Sequence, residues 1–495
     1  MRNFLLGLLV LVVVMADAAL GAEFQPMGAL GIGGAGVART FDAYAPYWNP
    51  AGLAFNETGF SSRLNAGAGL RINSSMAENI DRIGKLDVNN LGELNINVGT
   101  SLTPAQIDQN RVLIDKAVQF VGVLNDLNQH SGTLSVNADA VLGFQYKHFA
   151  VGGFTTMELA AFSNTETINV RPGGNITISD FATGIGAAGA TTPATRFFTD
   201  AQRAEITNAF GGNAGITNVL EAELVKPNGN QTNLTPEQAR DALVQMGQAF
   251  QNNQGSLENN RSTLEYLGII LIDIPISYGH QFDLGSFGKL GIGGSLKVIQ
   301  ARTFIGESQI VQVKDSGDIV KNITDHHQDS TGFGIDLGAL WKYKDWLGVG
   351  IVAKNLNSPE FDTPEVTLPI RGKVKETIRI KPQVRAGVAL DPFPWLTVAA
   401  DLDLTENDTV LVGKTSRNVG GGLEFRPFTW FKFRLGAYNN LANSDVGIVG
   451  TTGLTIGTKS VNLDLDAAAS PETGKYKEHN YPKEARVQAS LNVQF

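Results

Sequence analysis

The chain has 495 residues, with 39 basic and 48 acidic side chains, a formal net charge of −9, 56 glycines and no cysteine. Its charged fraction is 18 %, against about a quarter in an average soluble domain. The missing cysteines exclude disulfides, thiolate metal sites, thiol nucleophiles and lipoprotein anchors. The acidic balance speaks against nucleic acid as a partner, because phosphates need a basic face.

Residues 1–22 read as a signal peptide. Arg2 supplies the positive start, residues 5–15 an apolar core, and small residues follow up to Ala22. Cleavage after Gly21 or Ala22 leaves a mature chain that begins near Glu23. The apolar core is too short to span a bilayer as a helix, and no run of about 18 apolar residues occurs elsewhere. Export is therefore expected, and a helical membrane protein is not.

Gly31, Gly33 and Gly36 spell G-x-G-x-x-G. A dinucleotide site needs a strand before the glycines, a helix after them and an acidic residue about twenty positions on. Here they follow a signal peptide and no βα repeat succeeds them, so no cofactor is expected. Small residues instead suit close packing in a confined space, and Asn49 with Pro50 forces a turn before the first strand. Residues 23–56 are thus expected to form an N-terminal plug, or hatch, with Gly31, Gly33, Gly36, Trp48, Asn49, Pro50 and Ala51 as its characteristic positions.

From residue 57 to 495 the dominant pattern is alternation with a period of two, the mark of strands with unlike faces. In the last strand Ala485, Val487, Ala489, Leu491, Val493 and Phe495 oppose Glu484, Arg486, Gln488, Ser490, Asn492 and Gln494. Fourteen strands are predicted, near 59–71, 132–146, 149–160, 263–282, 287–303, 331–343, 346–357, 379–390, 395–405, 415–427, 430–439, 446–457, 460–469 and 484–495. Several reach the ten or so residues that a tilted strand needs to cross a bilayer. Connections after even strands are tight and those after odd strands are longer.

An even strand number with alternating short turns and long loops describes a transmembrane antiparallel outer-membrane β-barrel with both termini in the periplasm. The apolar face then meets membrane lipid and the polar face the lumen, since only a closed sheet pairs every backbone group in hydrocarbon. Trp341, Trp346, Trp395 and Trp430 fall at or near the short turns, as an aromatic girdle would. The terminal Phe495 resembles the signal read by the outer-membrane barrel insertion machinery.

Two insertions interrupt the pattern, at 72–131 and 161–262. Each holds a helix opened by a capping box with proline at the first turn, Thr103-Pro104-Gln106 and Thr235-Pro236-Gln238. Both follow odd strands and are expected outside the cell, over the barrel mouth. Their apolar residues Phe120, Leu124 and Phe250 are candidate anchors for an apolar ligand.

Alternation points Arg385, Asp401, Asp403, Glu424, Lys432, Arg434, Asp464, Asp466 and Arg486 into the lumen. Acid–base work by Asp401 and Asp403 is conceivable on spacing alone, but a cross-strand charge ladder that props the lumen and holds the plug is the expected role. His326 and His327 lie beside Asp325 and Asp329 without further ligands at metal-binding spacing, so no metal is expected. No Ser–His–Asp constellation or phosphate loop is visible, and no enzymatic activity is expected.

The run Tyr47-Trp48-Asn49-Pro50-Ala51-Gly52-Leu53 resembles the N-terminal hatch of the FadL family of outer-membrane transport proteins. That resemblance implies a fourteen-stranded barrel plugged by its N-terminal segment and importing hydrophobic molecules. The stretches KNLNSP at 354–359, PQVRAGV at 382–388 and AADLDLTEND at 399–408 resemble signal-bearing barrels labelled conjugal transfer protein TraF, of the plasmid transfer operon type. The best-known TraF is a thioredoxin-like protein, a chemistry that a chain without cysteine lacks.

The expected function is a FadL-like uptake channel for small hydrophobic molecules. The alternative is a non-transporting barrel, associated with conjugal transfer or with surface interaction, whose helical insertions bind protein partners.

Overall fold

The computed structural model describes residues 20–56, 59–72, 102–130, 132–225, 234–310, 326–368, 370–411, 413–476 and 479–495, with isolated positions between 76 and 86. Most of the segment expected to be a signal peptide, residues 1–19, and much of the first insertion lie outside the described residues.

Fourteen antiparallel strands close into one barrel. They are β1 (Phe60–Ile72), β2 (Thr133–Tyr146), β3 (Phe149–Asn164), β4 (Thr263–Asp283), β5 (Lys289–Gln309), β6 (His327–Tyr343), β7 (Leu347–Lys354), β8 (Gln383–Phe393), β9 (Leu396–Asp403), β10 (Asn418–Phe428), β11 (Phe431–Asn440), β12 (Val449–Gly457), β13 (Val461–Ala469) and β14 (Glu484–Gln494). Every strand expected from the alternation is present. Closure comes from β1 on β14, paired without a break from Ser61↔Gln494 to Arg71↔Glu484.

The faces follow from side-chain chemistry. On β14 Glu484, Arg486, Gln488, Ser490 and Asn492 are buried toward the lumen, while Val487 and Leu491 are exposed on the outside. A lone polar face of that kind would be costly against hydrocarbon. Around the short turns the aromatic side chains stack outside the wall: Phe393 on Trp395, Phe428 on Trp430 and Trp341 on Tyr343.

The wall is uneven in height. β4 and β5 each have 21 residues, about 70 Å of chain at roughly 3.3 Å per residue, whereas β7 and β9 have eight. The tall side carries a helical cap made from both insertions: α1 (Pro104–His130), α2 (Ile178–Gly184), α3 (Asp200–Ala209), α4 (Ala214–Leu224) and α5 (Pro236–Gln251). The two expected capping boxes are formed. Gln238 N donates to Thr235 Oγ1 at 3.2 Å, and Gln106 N to Thr103 Oγ1 at 3.3 Å.

Phe120, Leu124 and Phe250 are fully buried with Phe181 and Phe210 in a core internal to the cap. They hold the helices together. They do not line the barrel, which corrects their reading as ligand anchors: an amphipathic helix packed on other helices spends its apolar stripe on that contact.

Small two-stranded hairpins lie at 360–379, 407–416 and 473–482, and the first of them packs against β5 and β6.

Candidate ligand-conducting lumen

The segment from residue 20 to Phe55 runs inside the barrel. It consists of short helical turns, Leu30–Ile32, Ala45–Trp48 and Pro50–Phe55, joined by tight bends. Among the characteristic positions, Asn49 is the hinge of the fold. Its side-chain oxygen accepts from Ala51 N at 3.0 Å, capping the turn that Pro50 opens. Its amide nitrogen donates to Val37 O at 3.2 Å and to Ala339 O of β6 at 3.1 Å. Trp48 donates from its indole nitrogen to Met27 O at 2.7 Å, which ties the two ends of the plug together.

The glycines serve contact with the wall. Thr451 Oγ1 donates to Gly31 O at 3.2 Å and itself accepts from Gly33 N at 3.1 Å. Gly36 and Val37 both donate backbone N–H to Asp401 Oδ2, at 2.8 and 3.0 Å. Gly33 has φ +69°, and a Cβ there would lie 2.4 Å from Ala437 O and 2.5 Å from Gly421 O. The wall answers with glycines of its own. A Cβ at Gly436 would lie 2.6 Å from Gly33 N, and one at Gly293 would lie 2.3 Å from the Pro50 carbonyl carbon. Backbone thus meets backbone across the plug surface.

Of the charged residues expected in the lumen, Arg385, Asp401, Asp403, Glu424, Arg434, Asp466 and Arg486 are buried, and Lys432 and Asp464 are half-buried. Arg434 reaches Asp464 at 2.8 Å, Asp466 at 3.3 Å and Glu424 at 3.7 Å. Arg385 lies 3.4 Å from Asp403 and 3.8 Å from Asp401, with its guanidinium 4.6 Å over the Phe24 ring of the plug. Arg486 pairs with Glu484 at 2.8 Å and donates to Gln25 Oε1 at 2.6 Å. Plug residue Arg39 joins Glu424 at 2.8 Å, and Arg63 of β1 joins Asp42. Asp401 is committed to the plug amides, so the Asp401–Asp403 pair is a structural clamp. Lys432 borders a polar cavity of about 120 Å³ with Arg39, Asp42 and Asp464.

A second charged group was not expected. Lys297 of β5 is 2.8 Å from Asp273 of β4 and 3.2 Å from Asp336 of β6, all facing the lumen. The signal was available: Asp273 and Lys297 fall at the lumen-facing parity of their strands, as Glu265 and Glu307 do. Lys354 was also missed; its ammonium lies 3.8 Å over the Tyr47 ring and 4.7 Å over Phe24.

Reading the lumen-facing positions of β4 and β5 downward from the cap gives a layered wall. Leu267, Ile269 and Leu271 stand beside Ile299, Ala301 and Ile305 as an apolar sector. Phe361 and Ile378 of the hairpin at 360–379, and Ile380 just after it, belong to the same buried cluster. The Asp273–Lys297 pair comes next, then Ser277 against Ser295 at 2.7 Å, then the glycines against the plug.

At that boundary the ladder between β3 and β4 breaks. Val151 pairs with Ile276 and Phe154 with Asp273, but Gly152, Gly153, Ile274 and Pro275 have no partners across this seam. Proline has no N–H to give a ladder, and glycine lets a strand kink. A Cβ on Gly153 would meet nothing within 4 Å. The β3–β4 register is unchanged across this gap, whereas the register shifts at Leu390/Phe393 and Phe425/Phe428 are next to short turns.

Among the described residues no group of three or more metal-ligating side chains is present, and His326 and His327 assemble none.

Solved structures with similar overall topology include the toluene transporter TbuX of Ralstonia pickettii (12 % identity, 97 % of this chain and 100 % of that chain covered, TM-score 0.46). Others are the toluene transporter TodX of P. putida (11 %, 97 % and 99 %, 0.44) and a FadL homologue of Pseudomonas aeruginosa (9 %, 96 % and 98 %, 0.39). No curated protein matches the chain in sequence. The family described as "F plasmid transfer operon, TraF, protein" matches residues 46–403, from the plug hinge to the end of β9. That match spans well over half of the 495 residues, and the chain belongs to this family.

Proposed function

We propose that the protein is an outer-membrane uptake channel for small hydrophobic molecules, exported by its N-terminal signal and inserted through its C-terminal strand. The observation that carries this reading is the apolar sector of Leu267, Ile269, Leu271 and Ile299 inside a barrel whose remaining lumen is charged. A pocket with apolar walls and a few polar groups at its edge is what an apolar ligand requires; here the edge is the Asp273–Lys297 pair. The long connections and the cap face the outside, and the short turns face the periplasm.

Release by movement of the whole plug is disfavoured by its bonding to the wall through Asp401, Thr451, Glu424 and Ala339. The broken ladder at Gly152 and Gly153 offers a sideways route at the level of the apolar sector's floor. A ligand leaving there passes into lipid without crossing the plug.

Mass spectrometry of organic extracts from the purified protein tests this. A discrete apolar species retained by the wild type and lost from Ile269→Asp supports uptake. Bulk lipid and detergent alone in both samples would overturn it. The surface-interaction reading, which the family's link to a plasmid transfer operon favours, would then take its place, with the cap as the protein-binding element.

A further inference from the structure

We propose that Glu158 is the receptor for the protein's own mature N-terminus, binding the α-ammonium of Glu23 inside the lumen once the leader has been removed. The inference rests on the export reading above.

Glu158 stands on the lumen face of β3, opposite Ile269 of β4, and is 4 % exposed. Its Oε2 accepts from Glu23 N at 2.9 Å, and its Oε1 accepts from Val410 N at 3.4 Å. Both donors are neutral amides. Among the described residues no lysine or arginine forms an ion pair with Glu158; the nearby Arg71 is shared by Glu23 at 3.3 Å and Glu484 at 2.8 Å. A buried carboxylate facing only amides is poorly compensated.

Hydrolysis of the peptide bond between Ala22 and Glu23 adds one water, leaving a carboxylate on Ala22 and an ammonium on Glu23. The positive charge then appears on the nitrogen that already sits at hydrogen-bond distance from Glu158. No rearrangement of the wall is needed to form the ion pair.

Residue 23 is also gripped at its other end. Its carboxylate accepts from Asn418 Nδ2 at 3.2 Å and meets Arg71 Nη1 at 3.3 Å. Three strands, β1, β3 and β10, thus converge on one residue at both its backbone nitrogen and its side chain.

The residues upstream fit the same sequence of events. Leu20 O accepts from Arg379 N at 2.8 Å, Gly21 N donates to Thr409 O at 3.2 Å, and Leu20 packs among Ile378, Phe361 and Leu267. They occupy the apolar sector. Cleavage removes them, so the step that creates the ammonium also empties the space assigned to ligand.

The test uses full-length protein extracted from outer membranes. Intact mass is expected to start the chain at Glu23. Acetylation of the α-amine, followed by peptide mapping, is expected to run at least about 10-fold slower in the native barrel than in denaturant, as for other locally closed sites. Glu158→Gln, which keeps the acceptor shape and loses the charge, should accelerate native labelling at least about 5-fold. If that variant does not assemble into a heat-modifiable barrel, the wild-type ratio and the less drastic Glu158→Asp decide. A leader still attached overturns both this inference and the export reading. A chain starting at Glu23 whose amine reacts equally fast in native and denatured protein overturns this inference alone, as does a start at another residue.

Discussion

Asp401 of β9 binds the plug by offering one carboxylate oxygen to the backbone of Gly36, 2.8 Å away, and through the same oxygen to its neighbour Val37. Two consecutive amides that converge on one oxygen form a small anion nest for the carboxylate, here linking a barrel strand to a segment 365 residues earlier in the chain.

Replacing Asp401 with alanine orphans both amides, at about 1–3 kcal/mol for each buried donor. Asp401→Ala is expected to assemble as a barrel but with a loosened plug, giving larger and flickering ion conductance in planar bilayers. Asp401→Asn, which retains an acceptor, should fall between it and the wild type. Conductance of the alanine variant equal to that of the wild type would show that the plug is held by other contacts.

The close approach of plug and wall makes a second, paired prediction. A side chain on Gly436 collides with Gly33 backbone at 2.6 Å, whereas one on Gly153 meets nothing within 4 Å. Gly436→Val should reduce the yield of heat-modifiable barrel or open the plug, at a cost of several kcal/mol for a clash against backbone. Gly153→Val should assemble as the wild type does. Equal behaviour of the two in a gel-shift assay would contradict the packing described for the plug.

Much of this was legible in the sequence, for a physical reason. A strand with lipid on one side and water or charge on the other must alternate, so all fourteen strands could be placed from residues such as Glu484, Arg486 and Gln488 against Val487 and Leu491. The lumen-facing charges were legible for the same reason, since only those positions tolerate Arg434 or Asp466, whereas the plug was read from small residues and Asn49-Pro50 ahead of the first strand. What alternation does not carry is the identity of neighbours. Asp273 and Asp336 are 63 positions apart, and only the barrel register brings them both to Lys297. Likewise, helical spacing showed that Phe120 and Phe250 are apolar-face residues but not that both belong to one buried core inside the cap.

The break in the β3–β4 ladder gives a third prediction. The chain has no native cysteine, so a pair introduced by Gly153→Cys and Ile274→Cys can be oxidised without competing disulfides. Sealing the seam should slow uptake of an apolar probe by about 5-fold or more, with recovery on reduction, if passage is gated there. Unchanged uptake in a protein shown to be cross-linked would exclude the sideways route.

The base of the cap is sensitive to acid. Glu166, between β3 and the cap, is buried, which alone would raise its carboxyl, but hydrogen bonds from Arg261 N at 2.7 Å and the Arg261 guanidinium at 2.8 Å hold it below the ordinary carboxylate range. A carboxylate depressed in the folded state contributes stability above its unfolded value, about pH 4.3, and loses that contribution as pH falls through the folded value. Protection of the amides in residues 165–177, taken relative to their intrinsic exchange rate at each pH, should therefore fall on acidification below about pH 4.3 in the wild type. Glu166→Gln should exchange faster at neutral pH and respond less to acid. A wild-type profile flat down to pH 3 would contradict the assignment.

The most direct test is uptake itself, measured as the rate at which cells expressing the protein in their outer membrane admit an apolar fluorescent probe, N-phenyl-1-naphthylamine. Wild-type cells are expected to fill faster than cells without the protein, and cells carrying Ile269→Asp to fill at the rate of the control at equal barrel content. Equal rates in all three would contradict a hydrophobic uptake channel.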